Sequence, residues 1–105
     1  MANPWRGDVP VVIDGETHVM RLTLGALAEL EAALGTDSLV ELVERFETGG
    51  YAAVDVVALL EAGLRGGQCA VKRSALLNGQ IEGGPIAAAR AAAELLARAF
   101  AVPGT

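Results

Sequence analysis

The stretch Thr23-Leu-Gly-Ala-Leu-Ala-Glu-Leu-Glu-Ala-Ala-Leu-Gly35 encodes a helix together with both of its ends. Thr23 is a suitable N-cap because its hydroxyl can accept a hydrogen bond from a free backbone N–H of the first turn. Gly35 suits the left-handed position that follows a helix end. Between these caps, leucines recur at spacings of three and four, which predicts one apolar stripe. The stripe consists of Leu24, Leu27, Leu30 and Leu34, and Glu29 and Glu31 lie off it.

A β-hairpin is predicted before this helix, where two β-prone runs flank the Asp-Gly dipeptide at residues 14–15. A two-residue turn would pair Ile13 with Glu16 and mix apolar with polar side chains on one face. A three-residue bulged loop would pair Ile13 with Thr17 and place Val9, Val11, Ile13 and Val19 on one face, and we expect this second register. Pro10 lacks a backbone donor, so the first strand is expected at an edge. Since an isolated hairpin is marginal in water, it should lie on helices or pair with another chain.

The rest of the chain predicts four further helices separated by glycine pairs. Ser38 and Glu41 form a capping box that opens the second helix, whose apolar stripe is Leu39, Leu42, Val43 and Phe46. Its other charged residues, Glu44, Arg45 and Glu47, are expected on the solvated side. A third helix over residues 52–65 is apolar nearly all round, which is typical of a central helix. Gly63 within it indicates the close approach of a neighbouring helix.

A short fourth helix is expected over residues 74–80, with Ala75, Leu76 and Leu77 facing inward. The last helix, residues 86–101, is rich in alanine and follows Pro85, which suits a first helical position. One charged seam runs along this helix and consists of Arg90, Glu94 and Arg98. Because the rest of its circumference is apolar, the helix should either sit between several elements or meet another chain.

These elements predict an α+β fold that is mostly α, with an N-terminal β-hairpin followed by four to five short helices in a small bundle. Residues 1–8 are expected to form a flexible arm, residues 9–101 one domain, and residues 102–105 a C-terminal tail. A chain of 105 residues can bury a core without disulfides or metals.

The composition of the chain argues against several classes of function. A net charge of −5 with scattered basic residues argues against a nucleic-acid interface. No run reaches the ~18–20 apolar residues that a membrane span needs, and the N-terminus does not resemble a signal peptide. The single cysteine excludes an internal disulfide and fits a reducing interior.

Two side chains are candidate catalytic groups. His18 is the only histidine, and Cys69 lies near the basic pair Lys72-Arg73, which would favour a reactive thiolate. No elbow or oxyanion-hole motif accompanies Cys69, and His18 has no orienting acid nearby in sequence. The glycine pairs lack the context of a phosphate loop. We therefore expect no catalytic residue, cofactor or metal site, and keep a small Cys69–His18 enzyme as a minor alternative.

The run from Val19 to Gly35 resembles the gene transfer agent tail-assembly family, a group of small phage-derived proteins similar to phage tail assembly chaperones. The family pattern joins a short β-hairpin to Arg-Leu-Thr-x-Gly-Ala-Leu-x-x-Leu-Glu-x-x-Leu-Gly. The matching positions are Arg21, Leu22, Thr23, Gly25, Ala26, Leu27, Leu30, Glu31, Leu34 and Gly35. The likeness extends over about residues 9–101.

The resemblance implies a non-enzymatic tail assembly protein of a gene transfer agent or prophage. Such proteins are thought to keep the tape-measure protein soluble and extended while tail-tube subunits polymerise around it. The implied partners are therefore the tape-measure and tail-tube proteins, and the implied location is the bacterial cytoplasm or a phage-like particle. Two alternatives stay open, a structural component of the finished tail and a small interaction domain with another partner. A homo-oligomer is also open.

Four residues are candidate partner contacts. Trp5 would either anchor a partner or fold back over its own core. Glu31 lies at the margin of the leucine stripe, where a charge could face a partner. Leu95 and Phe100 lie on the apolar part of the last helix.

Overall fold

The computed structural model describes residues 7–34 and 39–100. In this part of the chain an N-terminal β-hairpin is followed by five helices, which confirms the predicted fold class. The elements are β1 (Val9–Ile13), β2 (Glu16–Met20), α1 (Leu24–Leu34), α2 (Leu39–Thr48), α3 (Ala53–Gly66), α4 (Arg73–Asn78) and α5 (Gly84–Ala99).

The hairpin adopts the two-residue turn, so the expected bulged register is wrong. Ile13 pairs with Glu16. Asp14 and Gly15 have φ values of 52° and 83°, as a type I′ turn requires. Turn chemistry therefore determines the register, and the polar residues near the turn share a face with apolar ones. The buried part of that face is formed by Val9, Val11, Ile13 and Met20.

The turn end of β1 is covered by the segment 80–82. The backbone N–H of Asp14 donates to the carbonyl of Gln80 at 2.8 Å, and that of Glu82 donates to the carbonyl of Val12 at 3.0 Å. The Asp14 carboxylate also accepts from the backbone N–H of Gln80 at 2.8 Å. The hairpin thus lies against this segment and the helices.

The third helix is central, as predicted. It packs against α1, α4, α5 and β2. A Cβ on Gly63 would lie 2.7 Å from Leu95 Cδ1 on α5 and 3.1 Å from Met20 Cβ. The expected close approach of a neighbouring helix at Gly63 is therefore confirmed.

The C-terminal end of α3 docks directly onto the backbone that leaves β2. The N–H of Arg21 donates to the carbonyl of Gly63 at 2.9 Å. A Cβ on Gly66 would collide with the carbonyl oxygen of Arg21, and one on Gly67 with that of Val19. Glycines are required here because two backbones touch.

The opening of α1 is confirmed, since the hydroxyl of Thr23 accepts a hydrogen bond from Ala26 N at 3.1 Å. The other predicted caps, Gly35 and Ser38, lie outside the described residues.

The predicted leucine stripe of α1 needs one correction. Leu30 is buried, and Leu27 and Leu34 pack partly against the core, but Leu24 is 84% exposed. Leu24 is the first residue of the helix, and Ala26 takes the inward position next to Gly66. Only a methyl group fits where α1 meets the end of α3.

The predicted stripe of α2 is confirmed, because Leu42 is buried and Leu39, Val43 and Phe46 pack against the core. Arg45, expected in solvent, instead reaches the buried Asp55. Its Nε and Nη2 each lie 3.1 Å from one of the two carboxylate oxygens. Asp55 also accepts from the backbone N–H of Ala52 at 2.8 Å, which caps α3. This ion pair joins α2 to the start of α3.

The last two helices follow the prediction with one exception. Leu76 on α4 is buried, whereas Leu77 is 53% exposed, so its expected inward position is wrong. A helix of six residues has room for one buried face only. The inner face of α5 packs on α3 and β1 and consists of Ala88, Ala92, Leu95 and Leu96.

The packed domain begins earlier than residue 9. Asp8, assigned to the arm by sequence, is buried and pairs with Arg21 Nε at 2.7 Å. Arg98 Nη1 donates to the carbonyl of Asp8 at 3.2 Å. Residues 1–6 and the expected tail at 102–105 lie outside the described residues.

Substitution of Gly66 by Ala should destabilise the fold. The added methyl must displace the backbone at Arg21, so we expect a loss of about 3 kcal/mol in the free energy of unfolding. Gly25→Ala is the matched control, because its Cβ would meet only Thr23 Oγ1 at 3.9 Å within a helix. It should gain about 0.5 kcal/mol. Urea unfolding measures both, and equal stability of the two variants would contradict the docking described above.

Removal of the Asp55 carboxylate should be costly. Asp55→Ala leaves Arg45 half-buried without this partner and the backbone N–H of Ala52 without its cap. We expect a loss of about 3–5 kcal/mol. Glu31→Ala removes an exposed carboxylate from α1 and should change stability by less than about 0.5 kcal/mol. Thermal unfolding of both variants checks this, and a small effect of Asp55→Ala would show that the ion pair does not hold α2.

Candidate partner-binding groove

An apolar groove of about 890 Å³ lies between α3, α4, α5 and the end of α2. We call it the apolar groove. The larger apolar side chains of its lining that stay at least partly exposed are Phe46, Tyr51, Val57, Leu77, Ile81 and Ile86. Charged groups are nearly absent from its lining, with Arg90 as the single ionisable side chain besides the Tyr51 phenol.

An aromatic stack forms one end of the apolar groove. The rings of Phe46 and Tyr51 lie 4.5 Å apart, centroid to centroid, with planes inclined by 6°. Phe46 follows Arg45, whose ion pair with Asp55 fixes α2 on α3. Because Tyr51 lies between these two helices, the buried ion pair holds both sides of the stack.

The other end is made by two apolar side chains that the core does not cover. Leu77 on α4 is 53% exposed, and Ile86 in the first turn of α5 is 73% exposed. Gly83 supplies a left-handed residue with φ of 85° just before α5, which turns the chain between these two helices. Exposed apolar side chains that line one concave surface are typical of an interaction site.

Arg90 at the rim of the apolar groove differs from the other arginines. Within residues 7–34 and 39–100, every other arginine lies within 4 Å of a carboxylate, and Arg90 is the exception. In one such pair, the hydrogen bond from Arg65 to Glu29 raises the pKa of Arg65. Arg90 is exposed and available to an acidic group outside this chain.

The four candidate contacts have different positions. Leu95 is 1% exposed and packs against Gly63, so it is a core residue and its assignment as a contact is wrong. Glu31 is exposed on α1, away from the apolar groove. Phe100 is exposed just after α5. Trp5 lies outside the described residues.

Sequence reasoning did not find the apolar groove. The available signal was the excess of apolar residues in the fourth and last helices, which was read as inward packing for Leu77. The groove depends on which faces those two short helices turn to α3, and sequence periodicity does not determine this for a helix of six residues.

Among the described residues, no hydrogen bond joins the side chains of His18 and Cys69. The Cys69 thiol donates to the carbonyl of Val19 at 3.3 Å, which ties the loop after α3 to β2. His18 lines a depression beside the hairpin turn, together with residues 70–72 of the loop that contains Cys69. In the described part of the chain, no three His, Cys, Asp or Glu residues are placed to hold a metal ion. Within those same residues, every helix is too short or too polar to cross a membrane.

The chain matches one family model over residues 6–102, and that family is described as phage tail tube protein, GTA-gp10. Neither the comparison with curated proteins nor that with solved structures finds a match. The matched range includes the hairpin, all five described helices and the run that carries the tail-assembly resemblance. The resemblance to a gene transfer agent tail family is therefore confirmed. The chain belongs to the phage tail tube protein, GTA-gp10 family and is a phage-type tail protein.

Proposed function

We propose that this protein is a non-enzymatic tail assembly chaperone that holds a helical segment of the tape-measure protein in the apolar groove. The observation that carries the proposal is the apolar groove itself, where Leu77 and Ile86 stay exposed beside a buried core. It would act in the bacterial cytoplasm, before the tail is complete.

Helix-in-groove binding explains the chemistry of the lining. An amphipathic helix presents apolar anchors at positions i, i+3 or i+4, and i+7. Those anchors would contact Leu77, Ile86 and the Phe46–Tyr51 stack. A tape-measure protein is a long helical chain whose apolar stripes aggregate in water until the tube covers them. Arg90 would favour a segment with a carboxylate beside its stripe.

The expected affinity suits a chaperone. Each apolar side chain that becomes fully buried contributes roughly 1.5–3 kcal/mol to the free energy of binding. Association costs several kcal/mol because the partners lose translational and rotational freedom. With few exposed anchors, binding in the micromolar range follows. Such a complex forms at the concentrations of an assembling tail and releases the tape-measure protein when tube subunits compete for it.

The environment of the two candidate catalytic groups supports the non-enzymatic part of the proposal. The Cys69 thiol donates a hydrogen bond to the backbone carbonyl of Val19. Within the described residues, no acidic side chain forms a hydrogen bond with His18. Neither has the oriented partner that a nucleophile or general base needs.

Co-expression with the tape-measure protein of the same tail gene cluster tests the proposal. The wild-type chain should raise the soluble yield of that partner and co-purify with it. Leu77→Glu puts a charge inside the apolar groove and should abolish both effects. Val54→Glu is the matched control, because Val54 is also an exposed apolar residue but does not line the apolar groove. Equal loss in both variants, or no complex with the wild type, would refute the proposal.

A second candidate is a structural component of the finished tail. It is favoured by the description of the matched family as a tail tube protein. Quantitative mass spectrometry of purified particles separates the two candidates. The chaperone proposal predicts that the chain is absent or present only in traces. Stoichiometry equal to that of a ring-forming subunit would establish the structural role instead.

A further inference from the structure

The outward side of α5 carries a self-complementary pattern that extends beyond the apolar groove. We call this side the α5 outer face, formed by Ile86, Arg90, Ala93, Glu94, Ala97 and Phe100. All six residues are exposed. At about 100° per residue they project within one sector of roughly 120°, opposite the buried Ala88, Ala92 and Leu95.

The large apolar residues are placed symmetrically about Ala93. Ile86 precedes Ala93 by seven positions and Phe100 follows it by seven, about 10.5 Å along the axis in each direction. Ile86 is 73% exposed and Phe100 is 49% exposed. The residues that lie between them on this side include Ala93 and Ala97, whose small side chains permit two helices to approach closely.

We infer that the α5 outer face binds a second copy of this chain, with the two α5 helices antiparallel about a two-fold axis near Ala93. This axis places Ile86 of each copy beside Phe100 of the other. The two-fold rotation therefore covers Ile86 and Phe100 of both copies. The interface is isologous, as in most homodimers.

Charge complementarity supports the second copy as the occupant. Arg90 and Glu94 flank the same edge of the apolar stripe. About the two-fold axis, Arg90 of one copy comes to within about 3 Å, measured along the helix axis, of Glu94 of the other. Two equivalent Arg–Glu pairs result, and they outnumber the single Glu94–Glu94 approach that the same axis brings to about 3 Å along the helices. Arg90 has no carboxylate partner among the described residues, and Glu94 has only Arg98, at 3.9 Å within its own helix.

The size of this surface predicts a weak dimer. One helix pair that extends over about 21 Å gives an interface at the lower end of those that are stable in solution. Because the interface is small, we expect the dimer to be weak and reversible. The inference goes beyond the proposed function, although Ile86, Arg90 and Ala93 also line the apolar groove, so a dimer would cover part of it.

Sedimentation equilibrium of the full chain tests the dimer. Glu94→Arg should raise the dissociation constant at least about tenfold, because each of two attractive pairs becomes a repulsion. Arg90→Glu should have the same effect. The double variant R90E/E94R restores opposite charges and should return to within about threefold of the wild type. Glu31→Arg makes the same charge reversal on α1 and should leave the dissociation constant unchanged.

Three results would overturn the inference. They are a wild-type chain that stays monomeric at millimolar concentration, equal effects of E94R and E31R, and a double variant as weak as the single ones. Circular-dichroism melting curves confirm that each variant folds.

Failure of the dimer and failure of the chaperone proposal can be told apart. Glu94 does not line the apolar groove, so Glu94→Arg should keep its binding of the tape-measure protein. Leu77 lies on α4, outside the α5 outer face, so Leu77→Glu should keep the wild-type dissociation constant of the dimer.

Discussion

The fold depends on the contact between two backbones, where the chain leaving β2 lies on the last turn of α3. The backbone N–H of Arg21 donates a hydrogen bond to the carbonyl of Gly63. The absence of side chains at Gly66 and Gly67 allows the two backbones to come into contact. A short two-stranded hairpin has little stability of its own. Where the hairpin docks on α3, it forms one side of the core. The helix α1 then begins three residues after Arg21.

The apolar groove follows from how the remaining helices complete that core. With the hairpin and α1 on one side of α3, α5 packs across Gly63 through Leu95. The Arg45–Asp55 pair fixes α2 near the start of α3. Between α2 and α5 only the short α4 is available, and it buries one leucine, Leu76. The surface left uncovered is apolar because α3 is apolar on nearly every side.

Local signals in the sequence predicted most of this fold. The Thr23 cap, the Asp-Gly turn, the central third helix and the role of Gly63 each depend on residues close in sequence or on one strong periodicity. The register of the hairpin differs from the prediction because the geometry of the Asp14-Gly15 turn outweighs the alternation of apolar residues. Arg45, Leu77 and Leu95 were misplaced because their environments depend on long-range partners: a buried carboxylate, the limited surface around α4 and a glycine on another helix. The apolar groove could not be predicted for the same reason.

We propose that this tail protein holds a helical segment of its partner in the apolar groove. Hydrogen–deuterium exchange of the chain with and without the tape-measure protein tests it most directly. We expect slower exchange in α4, the segment 80–82 and the first turns of α5 on binding, with α1 unchanged. Protection confined to α1, or to the hairpin, would contradict it.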